Sequence, residues 1–283
     1  MNIVFVCTGN TCRSPMAEAI FREKTQEFSG YCTVMSCGLA ASVGSPPSDN
    51  AVKVMREIGI DISSHRSNPM SMYIIDRADY IICLSESHLN ALKPYAESKL
   101  ILLGGGISDP FAGSEDTYRE CRDEISDGID KLLASDVFFK AGTVDEADAD
   151  EIAKMEKSIF SDPWSRDSVI AQIKKDYNVS FVGRFLGKPV AYVFADMICG
   201  EIYVGKVAVD EKMRKHGYAR QLIRLLIEFA KENSCSLITL EVRDSNNAAI
   251  NLYKKFGFES LGKRKGFYSK PAEDAFIMTL YLK

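Results

Sequence analysis

Up to Ser135 the sequence alternates short apolar runs rich in β-branched residues with stretches of helical period, and few folds tolerate that alternation. Ile3–Val6, Tyr80–Leu84 and Leu100–Leu103 are the apolar runs, and Met16–Phe28 and Tyr118–Leu133 carry the helical pattern. Strands separated by helices usually lie parallel, because the helix returns the chain to the end of the sheet it left. The expectation is an α/β domain with a parallel sheet flanked by helices. After Leu132-Leu133-Ala134-Ser135 a new strand-like run opens at Val137-Phe138-Phe139 with almost no linker, which sets domains at 1–135 and 136–283. The second half reads as mixed α+β. A helical run at Ala149–Phe160 precedes strand-like runs at Val179–Phe185, Val190–Asp196 and Glu201–Val209. An amphipathic helix follows, with Ala219, Leu222, Ile223, Leu226, Phe229 and Ala230 at helical spacing, then a strand at Leu237–Val242, a helix at Ala248–Phe256 and two closing strands. A chain of 283 residues suits two such domains, each large enough to bury its own core.

Charge and composition narrow the function. Residues 1–135 carry 12 Lys+Arg against 18 Asp+Glu, net −6, and the remaining 23 and 21 leave residues 136–283 at net +2. Neither half has the basic balance of a nucleic-acid binder, so no direct nucleic-acid partner is expected. No apolar run approaches the roughly 20 residues that span a bilayer, so no membrane partner is expected either. Met1–Val6 has no basic leader and reads as a buried strand rather than a secretion signal. Eight cysteines over this length do not make a dense disulfide framework, and a reducing cytoplasm fits them. His65, His88 and His216 show no metal-ligand spacing; they are expected at the surface or in loops, and no metal is expected.

The segment Cys7-Thr8-Gly9-Asn10-Thr11-Cys12-Arg13-Ser14-Pro15 puts a cysteine at the end of a buried strand, with a helix expected to open at Pro15. Proline suits a first helical turn, whose free N–H groups face an anion. Gly9 and Asn10 permit the tight turn that wraps amides around a phosphate. Cysteines in such a ring of dipoles ionise more readily than free ones and attack as thiolates. The planar fork of Arg13 can grip two phosphoryl oxygens, and the Ser14 hydroxyl can donate to sulfur. A leaving group needs a proton, and Asp109, in the loop Ser108-Asp109-Pro110-Phe111 after three glycines, is the candidate acid.

This spacing, continued by Ser14-Pro15-Met16-Ala17-Glu18 and joined to Asp109-Pro110-Phe111, resembles the low-molecular-weight protein phosphatase family over residues 1 to about 134. The resemblance implies an N-terminal four-stranded parallel sheet flanked by helices, a phosphorylated protein as substrate, Cys7 as nucleophile, Arg13 as phosphate and transition-state clamp, Asp109 as acid, a cysteinyl-phosphate intermediate and no cofactor. Thr8, Gly9, Asn10, Thr11, Cys12 and Ser14 then cradle the phosphate. Tyrosine phosphatases of this family usually carry isoleucine or leucine where this chain has Thr11, as bacterial protein arginine phosphatases do. Ala112 and Gly113 also stand where a second bulky aromatic is usual, so phosphoarginine is favoured over phosphotyrosine. Arsenate reduction, another use of the fold, needs additional cysteines to resolve the nucleophile; Cys83 lies in an apolar strand and is expected in the core, with Cys32 and Cys37. Cys12 either protects Cys7 as a disulfide under oxidation or simply packs.

In the second half, Val207-Ala208-Val209 leads through Asp210-Glu211-Lys212-Met213-Arg214-Lys215-His216-Gly217-Tyr218-Ala219 into the amphipathic helix. A strand, a basic glycine-containing turn and an outward-facing helix start again make an anion site. This pattern, with Leu240–Asn246, Ala249–Phe258 and the Phe-Ser-Asp-Pro-Trp-Ser stretch ending at Ser165, resembles the GNAT N-acetyltransferases over residues 137–283 and, within them, the ribosomal-protein alanine N-acetyltransferases. The resemblance implies acetyl-CoA held by Val207, Ala208, Val209, Arg214, Lys215, His216, Gly217, Tyr218, Ala219 and Asn246. It implies Glu241 as the base for the attacking amine, Tyr253 as the acid for the departing sulfur, and a ribosomal-protein N-terminus as acceptor. Asp244, where a small residue is commoner, and Phe267, where a tyrosine is usual, depart from the pattern on the acceptor side. A phosphotyrosine phosphatase joined to an acetyltransferase for a small amine or lysine, or one domain acting as a ligand sensor for the other, are the competing readings.

Overall fold

A computed structural model describes residues 1–282 and divides into two compact units, Met1–Val137 and the remainder from Phe138. The first runs β1 (Asn2–Cys7), α1 (Arg13–Lys24), β2 (Thr33–Gly38), α2 (Asp49–Glu57), α3 (Met72–Arg77), β3 (Tyr80–Cys83), α4 (Glu86–Ala96), β4 (Leu100–Leu102) and α5 (Glu115–Ala134). Its sheet is four-stranded and parallel throughout, in the order β2-β1-β3-β4. Ile3 to Cys7 are all buried, as expected of a central strand covered on both faces. On one face Val4, Val6, Ile81, Cys83 and Leu92 share a core, and on the other Phe5 meets Phe21 with ring centroids 5.5 Å apart. Serines cap four of the helices: Ser48, Ser71, Ser85 and Ser114 accept from the third residue on, at the starts of α2, α3, α4 and α5.

Two local expectations are corrected. The helix after Cys7 opens at Arg13 rather than Pro15; Pro15 still lies in the first turn, where its missing donor costs nothing. The helix expected to reach Phe28 stops at Lys24 and gives way to a single tight turn at Gln26–Phe28. The apolar runs also passed over β2, whose Thr-Val-Met-Ser-Cys-Gly sequence carries a buried serine, Ser36.

The second unit runs β5 (Phe139–Thr143), α6 (Ala149–Ile159), α7 (Arg166–Ile173), β6 (Phe181–Phe185), β7 (Lys188–Ile198), β8 (Glu201–Val209), α8 (Tyr218–Glu232), β9 (Leu237–Arg243), α9 (Asn247–Lys255), β10 (Glu259–Ser269) and β11 (Ala272–Tyr281). Its seven strands stand in the order β10-β11-β9-β8-β7-β6-β5, antiparallel except for β8 beside β9. That one parallel pair places the site. Its register runs only from Glu201↔Leu237 to Val204↔Leu240, while β8 stays paired to β7 as far as Val209 and β9 to β11 as far as Arg243. Beyond Val204 the two strands part, so the sheet opens as a wedge. A bulge at Gly205 marks the point: Val204 faces Ala195 but Lys206 faces Phe194, and such an extra residue bends its strand. Leu222, Ile223, Leu226 and Ala230 are the buried stripe of α8. Ala149, Ile152 and Met155 of α6 share a core with Tyr192, Phe194 and Ala208. Among the described residues no helix is long and apolar enough to cross a membrane.

Candidate active sites

Cys7 is the last residue of β1, where parallel α/β sheets bind their ligands, and the loop after it curls back over its sulfur. The Asn10 backbone N–H donates to Cys7 Sγ at 3.2 Å, and Ser14 Oγ lies 3.0 Å from the same sulfur. The curl depends on Asn10, which takes the left-handed φ of 55° and is wholly buried. Its amide Nδ2 donates to Ser14 Oγ and Ser36 Oγ, both at 2.9 Å, and its Oδ1 accepts from the Asn68 backbone at 2.8 Å. His65 Nε2 lies 3.0 Å from its carbonyl oxygen. Asn10 therefore serves the loop's shape, and what it can present to an anion is its main chain. Gly38 is required for the same reason: a Cβ there would stand 2.5 Å from the Thr8 carbonyl and 2.9 Å from the Asn10 nitrogen.

Arg13 is almost fully buried, yet its Nη2 donates to Asp109 Oδ2 at 2.7 Å and its Nη1 to the Ile107 carbonyl at 3.3 Å. The fold thus brings Cys7, Arg13, Ser14 and Asp109, drawn from positions up to about a hundred residues apart, to one mouth. Phe111 beside the acid is 79% exposed, a free apolar surface at the rim. Cys12, by contrast, faces inward: its Sγ lies 3.2 Å from Tyr118 Oη and donates to Ser48 Oγ at 3.5 Å. Burial, then the Cys12 contact, pushes the Tyr118 phenol up to about 12. Cys83 and Cys37 are fully buried, and burial pushes both thiols up to about 12, so they are inert core sulfurs. Cys32 is only half-buried and donates to the Phe28 carbonyl at 3.5 Å, which corrects its expected place in the core.

His88 is a second correction. It is no surface residue but is 2% exposed at the start of α4, with Nε2 3.0 Å from Thr8 Oγ1 and Nδ1 2.8 Å from Ser85 Oγ. Burial, reinforced by the Arg13 guanidinium, lowers its pKa to about 4, against an opposing pull from Asp109. An unfolded chain binds a proton at an ordinary histidine below about pH 6.5, while the folded chain resists it down to about 4. This imidazole therefore costs stability as pH falls through that window. His88→Gln should lose less melting temperature between pH 7 and pH 5 than the parent does; equal losses would show that the folded imidazole is charged.

In the second unit the turn before α8 is as open as the sequence suggested. Gly217 takes φ of 82° with free space where a Cβ would stand, and no side chain caps the helix it starts. Arg214, Lys215 and His216 are exposed around it, and Val207, Ala208 and Val209 line the free half of β8. Tyr218 differs from its neighbours: its ring is buried, stacked on Phe139 at 3.9 Å and on His216 of the turn at 5.6 Å, so the ring packs under the turn and its backbone amide is what it can offer an anion. Asn246 caps α9, its Oδ1 accepting from the Ala249 amide at 3.2 Å. A pyrophosphate fits this donor set, with uncapped amides and basic side chains at the end of the wedge.

Glu241 lies on β9 next to the opening, and its carboxylate accepts from Arg264 Nη1 at 2.7 Å. Tyr268 Oη donates to the Glu241 carbonyl at 3.3 Å, and the Arg243 guanidinium lies 4.0 Å from the Tyr268 ring. Tyr253, on α9, is 5% exposed against Phe258, and burial, with Tyr268 close by, raises its phenol well above the ordinary range. Of the two departures on the acceptor side, Asp244 accepts from Lys263 Nζ at 2.6 Å, and Phe267 lies under the Arg264 guanidinium at 5.0 Å.

The chain belongs to two families in tandem: residues 2–140 match the low molecular weight phosphotyrosine protein phosphatase family and residues 149–258 the acetyltransferase (GNAT) family. A phosphatase domain is thus followed by an acyltransferase domain. The first half is 39% identical over 140 residues to a protein-arginine-phosphatase of Geobacillus stearothermophilus, covering 46% of this chain and 92% of that protein. The second is 32% identical over 132 residues to a Bacillus subtilis (strain 168) protein provisionally named ribosomal protein bS18-alanine N-acetyltransferase, covering 46% of this chain and 87% of that one. The crystal structure of the ribosomal-protein-S18-alanine N-acetyltransferase from Escherichia coli aligns with 51% of this chain and 94% of its own at 26% identity and a TM-score of 0.49.

Proposed function

We propose that this chain is a cytoplasmic bifunctional protein-modifying enzyme: residues 1–135 hydrolyse phosphoarginine in proteins, and residues 136–283 acetylate the N-terminal alanine of a ribosomal protein. The observation that carries the first part is the closed loop over Cys7 with Arg13 and Asp109 in contact at its mouth. In that reaction the Cys7 thiolate attacks phosphorus, an S–P bond forms and the N–P bond to the guanidinium breaks. Asp109 donates the proton that the departing nitrogen needs, while Ser14 donates to the sulfur. A water then attacks the phosphocysteine, gives its proton to Asp109 and releases phosphate. Arg13 contacts Asp109, and its planar fork has the geometry to grip phosphoryl oxygens. Thr11 and the small residues after Phe111 favour a polar guanidinium over a phenyl ring.

Acetyl-CoA supplies the activated acyl group of the second reaction. Its pyrophosphate would be held by Arg214, Lys215 and the amides from Gly217 to Ala219, beside Val207–Val209 and Asn246. Glu241 would accept the proton of the attacking amine, Tyr253 would donate to the leaving sulfur as the new amide bond replaces the thioester bond, and a backbone N–H of Val207–Val209 would stabilise the developing oxyanion. An α-amino group, with a pKa of about 7.7 to 8.0, is partly neutral at pH 7, whereas a lysine near 10.4 is not, so a weak base suffices for a polypeptide N-terminus. One experiment tests both halves. The purified chain should release phosphate faster from a phosphoarginine peptide than from the matching phosphotyrosine peptide, and should add one acetyl to the α-amine of an alanine-starting peptide. Preference for phosphotyrosine, or acetylation only at lysine or a small amine, would defeat the respective half.

A further inference from the structure

Where β8 parts from β9 in the second unit, a partly buried lysine pairs with a wholly buried carboxylate that neither reaction uses. Glu156, on the last turn of α6, is wholly buried, and its carboxylate accepts from three donors. These are Lys206 Nζ at 2.5 Å, the Trp164 backbone N–H at 2.8 Å and the Tyr192 hydroxyl. Lys206 is the first residue after the bulge, at the position where β8 leaves β9. Its ammonium lies 4.5 Å from the Phe160 ring and 4.8 Å from the Trp164 ring, and 3.4 Å from the Asp162 carbonyl oxygen. The far side of the same segment is tied down as well, because Ser161 Oγ donates to the Lys270 carbonyl at the turn between β10 and β11. Trp164 completes the attachment by stacking on Phe194 at 5.3 Å.

A loop of five residues is thus held at both ends and from below. It spans from the foot of β8 to the hairpin whose Tyr268 and Arg264 touch Glu241. Burying two charges is costly unless each is paired and hydrogen-bonded. Here the pair's remaining hydrogen bonds and ring contacts go mostly to this one segment, which would otherwise be a free connection between α6 and α7. We propose that Lys206 and Glu156 are positioning residues for the acceptor: they fix Phe160–Trp164 as a rigid aromatic wall of the groove through which the incoming amine reaches the wedge. The proposal rests on the acetyltransferase reading for its substrate, but the pinning of the wall does not.

The test uses the full chain and its single tryptophan, Trp164, whose emission reports on this segment alone. In Lys206→Met the KM for an alanine-starting peptide should rise about tenfold, with KM for acetyl-CoA changed less than about twofold. Trp164 should also become more accessible to acrylamide quenching. Lys206→Arg, which keeps the charge and the ring contact, should restore most of both. Because Lys206→Met leaves Glu156 unpaired and can unfold the unit, the double variant Glu156→Gln, Lys206→Met is measured alongside, with far-UV circular dichroism as the control for folding. Unchanged quenching in a folded variant, or equal increases in both KM values, would overturn the proposal. If the parent chain acetylates no peptide, the acetyltransferase reading fails, and the quenching comparison still decides whether the pair holds the wall.

Discussion

Cys7→Ser should lower phosphate release from a phosphoarginine peptide by about a thousandfold or more, the scale on which removal of a nucleophile falls, and leave acetylation unchanged. The substitution is nearly isosteric, and Ser14 Oγ and the Asn10 N–H stand within hydrogen-bond reach of an oxygen at the same place. Folding is therefore preserved and the loss is chemical: a serine hydroxyl does not ionise near neutral pH, and no general base stands beside it to take its proton. Single-turnover phosphate release checks this, and a variant that hydrolyses at the parental rate would remove Cys7 from the reaction. A matching loss of acetylation would instead show that the substitution damages the chain as a whole.

Tyr253→Phe should lower kcat for acetylation of an alanine-starting peptide by about a hundredfold, the lower range for removal of a general acid, with phosphatase activity untouched. The ring is buried against Phe258, and phenylalanine keeps that packing, so the melting temperature should change little. Its burial fixes the state of the hydroxyl: a phenol shielded from water and held above the ordinary pKa range stays protonated at neutral pH and reaches the reaction as a donor. A drop in melting temperature that accounts for the lost activity would mean that Tyr253 is core and nothing more. Glu241 has a charged partner of its own, since one oxygen of its carboxylate accepts from Arg264 Nη1 at 2.7 Å. The second carboxylate oxygen is the one placed to take a proton, directly or through water.

Much of the first site could be read along the chain because it is local. Cys7 to Ser14 are consecutive, and a strand end, a curled loop and a helix start need no distant partner to define them. The second site is legible for a similar reason: Val207 to Ala219 is a single strand, turn and helix. What escaped were the residues that reach these segments from afar. Ser36, Gly38, His65 and Asn68 hold Asn10 or the space it needs, and none has a spacing that would mark it. His88 reads as a surface or loop residue because a single imidazole without metal-ligand spacing carries no sign of burial; only the approach of Thr8, eighty residues earlier, brings it to the first site.

Glu156 and Lys206 show the same divide. In sequence one is a polar residue in an amphipathic helix and the other a cation on a strand, both usually solvated. Residue type and order dictated the two domains, most of their strands and helices and the local loops at Cys7–Ser14 and Val207–Ala219, since periodicity and local turn chemistry act over a few residues. Which polar groups are buried, which cation neutralises which carboxylate, and where β8 parts from β9 depend on contacts between elements far apart in the chain. Those contacts exist only once the sheets have closed and water has been excluded, so no stretch of sequence carries their signature.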